Sequence, residues 1–129
     1  MSIEEYFRTL QQQIEGCPAI VNTIVTYEKR DHAHGFIRGE LFFIDGSVLH
    51  LREFVHILEG IERQTYAYQY MAEDRQLIFR YDNADHYAHL GLPSHPHHKH
   101  DRSETGVIGS NAPTLAAVLA EIEQVVKLS

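Results

Sequence analysis

The segment Gly35–Ile57, GFIRGELFFIDGSVLHLREFVHI, decides the fold of this chain. Apolar residues recur in it with a period of two, the spacing at which side chains of an extended strand reach one face of a sheet. Asp45 and Gly46 interrupt the pattern near its middle, and this dipeptide favours the tight turn of a β-hairpin. The segment therefore predicts two antiparallel strands joined at Asp45-Gly46.

Three more segments have strand patterns. AIVNTIVTYEKRD precedes the hairpin and is rich in β-branched residues, whereas RQTYAYQYMA and QLIFRYDN follow it and are separated by a polar turn at Glu73–Arg75. Five strands joined by short links are typical of an antiparallel meander.

Helical patterns stand at both ends of the chain. Ser2 and Glu5 form a capping box before a stripe made of Ile3, Phe7, Leu10 and Ile14. A second stripe near the C-terminus consists of Leu115, Val118, Leu119, Ile122 and Val126. We expect one α+β domain spanning residues 1–129, with both helices on one face of the five-stranded sheet. The C-terminal stripe is interpreted as core-facing, and a homodimer contact is the alternative.

Length and composition limit the class of protein. A chain of 129 residues suits one domain, and it has no apolar run long enough to span a membrane. The N-terminus is acidic and amphipathic, unlike a signal peptide, so a cytoplasmic location is expected. A single cysteine, Cys17, excludes an internal disulfide. The net charge of −7 does not favour general nucleic-acid binding, although an acidic protein can still hold one cationic pocket.

The last predicted strand and its neighbour carry polar and aromatic side chains in alternation. Arg80 and Asp82 share one face of this strand, and they point outward if Phe79 is in the core. The preceding strand carries a tyrosine stripe, defined as Tyr66, Tyr68 and Tyr70. The stripe indicates either cross-strand packing or a platform on which bases or sugars stack.

The segment Ser94–Asp101, SHPHHKHD, contains four of the ten histidines. Gly91, Pro93 and Pro96 predict that it is an irregular loop. If it is extended, His98 and His100 project to one side, and His97 and Lys99 to the other. A zinc or nickel ion bound by His86, His98 and His100, with Asp82 as a carboxylate ligand, is one use of this spacing.

Proton transfer is the other use, and it requires no cofactor. RNA cleavage by attack of its own 2′-hydroxyl needs a base, an acid and a cation at the phosphate. The acid and base candidates are His86, His98 and His100, and the cation candidates are Arg80 and Lys99. The substrate-binding candidates are Tyr66, Tyr68, Tyr70, Asp82, Asn83 and His97. An ordinary Arg80–Asp82 ion pair and turn capping by Asn83 are the structural alternatives.

The motifs YAYQY, LIFRYDNADHY and PSHPHHKH resemble the TumE family of toxin-antitoxin-associated proteins. The resemblance extends from about Gly35 into the final helix. It implies a small bacterial toxin encoded beside a helix-turn-helix antitoxin. The residues that match the family motifs are Arg80, Asp82, Asn83, His86, His97, His98, Lys99 and His100.

Three functions remain open on the sequence alone. The favoured one is a toxin that cleaves RNA by histidine acid-base chemistry. The alternatives are a metal-dependent phosphodiesterase that uses the same histidines and a non-enzymatic module that acts through its partner. We expect Arg80, Asp82, His86, His98 and His100 to converge in one cleft at the end of the sheet, and the tyrosine stripe to be an exposed dock for the antitoxin.

Overall fold

The computed structural model describes residues 1–83, 98–101, 107–109 and 113–128. It has two helices, α1 (Ile3–Glu15) and α2 (Leu115–Leu128), and seven strands, β1 (Ile20–Lys29), β2 (His34–Phe43), β3 (Val48–Ile57), β4 (Ile61–Met71), β5 (Leu77–Asp82), β6 (His98–Asp101) and β7 (Val107–Gly109). The strands form one antiparallel sheet in the order of the sequence. The predicted α+β class, the five strands of the meander and both terminal helices are confirmed.

Two short strands were not predicted. Residues His98–Asp101 form β6 along the free edge of β5, and β7 pairs with β6 in turn. The prediction of an irregular loop is therefore wrong for this part of Ser94–Asp101. The sequence HKHD contains no proline or glycine, so it can pair with the unsatisfied backbone groups at the edge of β5.

The hairpin turn has the geometry that its sequence predicts. Gly46 has a φ of +86°, a value that side-chain-bearing residues rarely adopt. Its N–H donates to the carbonyl of Phe43 at 2.9 Å, and the N–H of Phe43 donates to Ser47 at 2.9 Å. The Asp45 carboxylate accepts a further bond from the Ser47 N–H at 3.0 Å. These bonds hold β2 and β3 in register from the turn outward.

Helix α1 begins at the predicted cap. The Ser2 hydroxyl accepts a hydrogen bond from the N–H of Glu5 at 3.1 Å, which satisfies one of the free donors of the first turn. Ile3, Leu10 and Ile14 are buried, so the apolar stripe faces the sheet.

Both helices lie on one face of the sheet, called here the helix face. Tyr6 of α1 donates to Glu53 of β3, and Tyr81 of β5 donates to Glu121 of α2 at 2.7 Å. The core between the layers includes Leu115, Val118, Leu119 and Ile122, so most of the α2 stripe is core, as interpreted from the sequence. The opposite side of the sheet, called the open face, carries exposed residues such as Arg38 and Arg52. Neither α1 nor α2 has the length and apolar composition needed to cross a membrane.

Candidate functional site

Strand pairing aligns polar residues in two rows across the open face. The Arg80 row contains Glu40, His50, Gln69 and Arg80, each directly opposite the next. The Asp82 row contains Arg38, Arg52, Ala67 and Asp82 in the same way. The backbone of β6 extends both rows by one position, with His100 opposite Arg80 and His98 opposite Asp82. Residues that are far apart in the sequence are therefore brought together at one end of the face.

Arg80 is held in place by two neighbours. Its Nε donates to the Asp82 carboxylate at 2.7 Å, and Nη1 donates to the amide oxygen of Gln69 at 2.6 Å. The Asp82 side chain is only 4% exposed, whereas that of Arg80 is 25% exposed. A guanidinium has five N–H donors, so these two bonds leave the Nη2 group free of partners among the described residues. The arrangement presents a fixed cation that can still bind a phosphate oxygen.

Asn83 has a structural role at the edge of β4. Its side-chain oxygen accepts from the N–H of Tyr66 at 2.9 Å, and its amide donates to the carbonyl of Gln64 at 3.0 Å. Ala67 and Asp82 are the last pair of β4 with β5, so the Asn83 side chain continues the hydrogen bonding to the β4 backbone beyond that pair. This role resembles the capping that was the structural alternative for Asn83, because its side chain satisfies backbone groups of β4 beside Asp82.

Lys99 lies on the helix face, away from Arg80. It pairs with Tyr81, and its Nζ is 3.1 Å from the Glu121 carboxylate and 4.9 Å from the centre of the Tyr81 ring. Burial alone would lower the pKa of Lys99, but its bonds to Tyr81 and Glu121 outweigh that effect and raise it. The two cation candidates, Lys99 and Arg80, therefore lie on opposite faces of the sheet, because alternate residues of paired strands point to opposite faces.

The tyrosine stripe also belongs to the helix face. Tyr66, Tyr68 and Tyr70 are 3%, 0% and 0% exposed, respectively. Register places Tyr68 between Leu51 and Tyr81, both of which face the helices. The stripe is cross-strand core packing, and its interpretations as a stacking platform and as an exposed antitoxin dock are wrong.

A buried polar network was missed by the sequence analysis. Glu53 is 0% exposed and accepts hydrogen bonds from the hydroxyls of Tyr6 and Tyr68, the latter at 2.6 Å. Arg63 donates from Nη1 to the Tyr68 hydroxyl at 3.0 Å and to the carbonyl of Pro113 at 2.7 Å. Burial and the nearby Glu53 carboxylate raise the pKa values of Tyr6 and Tyr68.

The sequence contained one signal for this network. Glu53 occupies a core position in the alternation of Leu49, Leu51 and Val55, where a charged residue needs a buried partner. These contacts join α1, and Pro113 just before α2, to the middle of the sheet. We assign the network to stability, since its groups are used to satisfy one another.

The remaining site predictions lie partly outside the described residues. His86 and His97 fall outside them, and His98 and His100 are described by their backbone positions alone. Arg80 and Asp82 lie side by side as expected, and β6 brings the backbones of His98 and His100 beside them. The described residues contain no cluster of potential metal ligands, but the predicted set includes His86 and stays a prediction.

Comparison with known families covers nearly the whole chain. The family model described as Toxin TumE matches residues 8–126, which include the open face, the Arg80–Asp82 pair and the β6 histidines. No curated protein and no solved structure matches the chain. The match agrees with the resemblance carried by the YAYQY, LIFRYDNADHY and PSHPHHKH motifs. This chain belongs to the TumE toxin family.

Proposed function

We propose that this toxin cleaves RNA by metal-independent acid-base catalysis at the β5–β6 end of the open face. The observation that carries the proposal is the anchored Arg80, which has histidine positions at and beside its pairing partner on β6. A phosphodiester needs a cation to stabilise the charge that develops on its oxygens, and it needs groups that move protons near neutral pH. The site supplies both residue types within one pair of strands.

Arg80 is suited to the role of the cation. Asp82 and Gln69 fix its orientation, so little reorganisation is needed when charge develops on a phosphate. The planar guanidinium also presents a fork of donors that matches the geometry of phosphate oxygens. Its partial exposure leaves room for a substrate to approach from the open face.

His98 and His100 are proposed as the proton-transfer groups, with His86 as a third candidate. One neutral imidazole takes the proton of the 2′-hydroxyl, whose oxygen then attacks the adjacent phosphorus. A second, protonated imidazole gives its proton to the departing 5′-oxygen as the P–O bond breaks. The products are a 2′,3′-cyclic phosphate and a 5′-hydroxyl, and no water or metal ion is consumed.

A metal-dependent phosphodiesterase is the second candidate. The pairing of His98 with Asp82 brings an imidazole-bearing residue next to a buried carboxylate, a ligand combination that zinc accepts. In this case His86, His98 and His100 would bind the ion, which would act on the phosphate as a Lewis acid. Sensitivity to chelators separates the two mechanisms.

The proposal includes an antitoxin partner of the helix-turn-helix type, which the family motifs imply. The partner does not bind the tyrosine stripe, because that stripe is buried. Copurification of the toxin with the product of the adjacent gene tests the pairing, and a stable complex is expected. If the adjacent gene encodes a small DNA-binding protein that does not bind the toxin, the proposed partner is wrong. The RNA-cleavage proposal does not depend on that result.

Single-turnover cleavage of a fluorescent RNA by purified protein tests the catalytic proposal. Arg80→Ala should lower the rate by about 10²-fold or more, because the transition-state charge loses its stabilising donor. Arg8→Ala is the matched control, since Arg8 is exposed on α1. Equal rates for wild type and Arg80→Ala, or no cleavage by the wild type, would overturn the proposal, and the latter would favour a non-enzymatic partner-binding module.

A further inference from the structure

Two arginines lie directly opposite each other on the open face. Arg38 of β2 pairs with Arg52 of β3, and both side chains are exposed. Like charges at directly opposed positions destabilise a sheet. Neither guanidinium has an acidic partner within the described ranges. A pair of uncompensated cations is unexpected in a chain whose net charge is −7.

Acidic groups near this pair are already neutralised. Glu40 accepts from Arg75 at 3.0 Å, and Asp82 accepts from Arg80 at 2.7 Å. At the other side of the pair, Glu28 is 3.2 Å from Arg30. Glu62 lies farther along the face, opposite His56. When these ion pairs are counted as neutral, Arg38 and Arg52 leave the central part of the open face with an excess of positive charge.

Flat rings lie beside the arginine pair. Phe36 and Phe54 oppose each other two residues from Arg38 and Arg52, and both are half-buried. The guanidinium of Arg30 is 5.6 Å from the centre of the Phe36 ring. Beyond them, the rings of His34 and His56 stack at 4.2 Å. Aromatic rings next to a cationic strip are the combination that binds single-stranded nucleic acids, since bases stack while phosphates pair with arginine.

We propose that the open face binds single-stranded RNA through the strip of Arg38, Arg52, Phe36 and Phe54. Arg38 and Arg52 contact phosphates, and the phenylalanine rings receive bases. The Asp82 row connects this strip to Asp82, whose carboxylate bonds to Arg80. At a strand spacing of about 4.8 Å, Arg38 is about 14 Å from Asp82, a distance that several nucleotides can span. Delivery of a phosphate to Arg80 rests on the proposed function, whereas RNA binding by the strip does not.

Binding is measured with fluorescein-labelled 2′-O-methyl RNA, which lacks the attacking hydroxyl and cannot be cleaved by the proposed mechanism. The test variant is Arg38→Gln/Arg52→Gln, which removes both charges and keeps polar side chains. We expect its dissociation constant to rise at least about 10-fold. Two lost phosphate contacts should also reduce the slope of log K against log salt concentration by about 1.4. Arg8→Ala should bind RNA like the wild type.

Thermal unfolding distinguishes loss of a binding site from loss of the fold. Because Arg38 and Arg52 repel each other, the double glutamine variant should melt at the same temperature as the wild type or higher. Phe36→Leu/Phe54→Leu supplies an independent probe, since it keeps an apolar surface but removes the stacking rings. It should weaken RNA binding without reducing the salt slope.

The outcomes separate this proposal from the catalytic one. If the wild type binds 2′-O-methyl RNA and the arginine variant does not, the strip is supported even when ordinary RNA is not cleaved. If the folded arginine variant binds RNA as tightly as the wild type, the strip proposal is overturned even when Arg80→Ala abolishes cleavage. If the wild type does not bind RNA, and the same variant loses the antitoxin, the strip is a protein-docking surface and the RNA assignment is wrong.

Discussion

The Arg80 guanidinium donates to the Asp82 carboxylate at 2.7 Å, and the buried carboxylate thereby sets the direction in which the more exposed arginine points. Both residues lie on the open face, and both have histidine positions opposite them on β6. Asp82 is therefore interpreted as a positioning residue for Arg80. Loss of the Asp82 carboxylate should therefore change the kinetics differently from loss of Arg80 itself.

Asp82→Asn should lower kcat for RNA cleavage by about 10- to 100-fold, because a small displacement of a catalytic group is costly. KM should not rise, since Arg80 keeps its charge and loses a competing anion. Steady-state kinetics on the purified variant measure both constants. Asp74→Asn is a matched control, because Asp74 caps an exposed turn by accepting from the N–H of Gln76. A rise in KM with unchanged kcat would contradict the positioning role.

His98→Ala and His100→Ala should each reduce cleavage by about 10²-fold or more, because each removes a proton-transfer group. For the wild type, the rate should follow a bell-shaped dependence on pH around neutrality and should survive EDTA. His32→Ala serves as a control, since His32 lies in an exposed turn on the N-terminal side of the chain. Loss of activity in EDTA, with recovery on adding zinc, would instead support the metal-dependent mechanism.

The buried Glu53 network predicts a loss of stability at alkaline pH. The pKa of Tyr68 is raised well above 10 in the folded protein, so its neutral form is favoured there. This stabilisation is complete below the unfolded pKa of about 10 and is lost as pH rises toward the folded value. Urea unfolding of the wild type from about pH 8 to pH 11 should show a free energy of unfolding that falls once the pH exceeds about 10.

Tyr68→Phe checks the origin of that loss. At neutral pH the variant should be less stable by about 1–3 kcal/mol, because the buried Glu53 carboxylate loses a hydrogen-bond donor. Its stability should then fall less steeply with rising pH than that of the wild type, since one titrating phenol is gone. Tyr70→Phe separates the effect of the Glu53 network from that of burial alone, because burial also raises the pKa of Tyr70 but its hydroxyl bonds to Ser47 and not to Glu53. An unchanged pH slope in Tyr68→Phe would contradict this assignment.

Lys99→Met should lower the melting temperature and leave RNA cleavage by the folded protein nearly unchanged. Its Nζ pairs with Glu121 of α2 on the helix face, so the substitution removes a contact between β6 and that helix. Methionine keeps the length of the side chain and its packing against the Tyr81 ring. Circular dichroism melts and cleavage assays below the melting temperature measure the two effects. A large loss of kcat with an unchanged melting temperature would instead indicate a catalytic role for Lys99.

Several elements of the fold could be predicted because their signals are local. The period of two in Gly35–Ile57 indicates strands whichever face of the sheet is covered. Gly46 of the Asp45-Gly46 turn adopts the positive φ that the hairpin requires. The Ser2 cap likewise depends on residues within one helical turn. The family motifs also identified the Arg80–Asp82 region, because they are continuous in the sequence.

The faces of the sheet depended on tertiary structure. Alternation shows that Tyr66, Tyr68 and Tyr70 share a face, but it does not show which face the helices cover. Register, with shifts at Phe54/Val55 and Tyr70/Met71, settles that question through pairing between strands.

The same pairing separates Lys99 from Arg80 and aligns Arg38 with Arg52. It also recruits His98–Asp101 as β6, although the local prolines favour a loop. The sequence by itself therefore determined the elements and the residue types of the site. Only tertiary structure decided which side chains share a surface, because a strand's orientation is set by non-local hydrogen bonds and by burial against the helices.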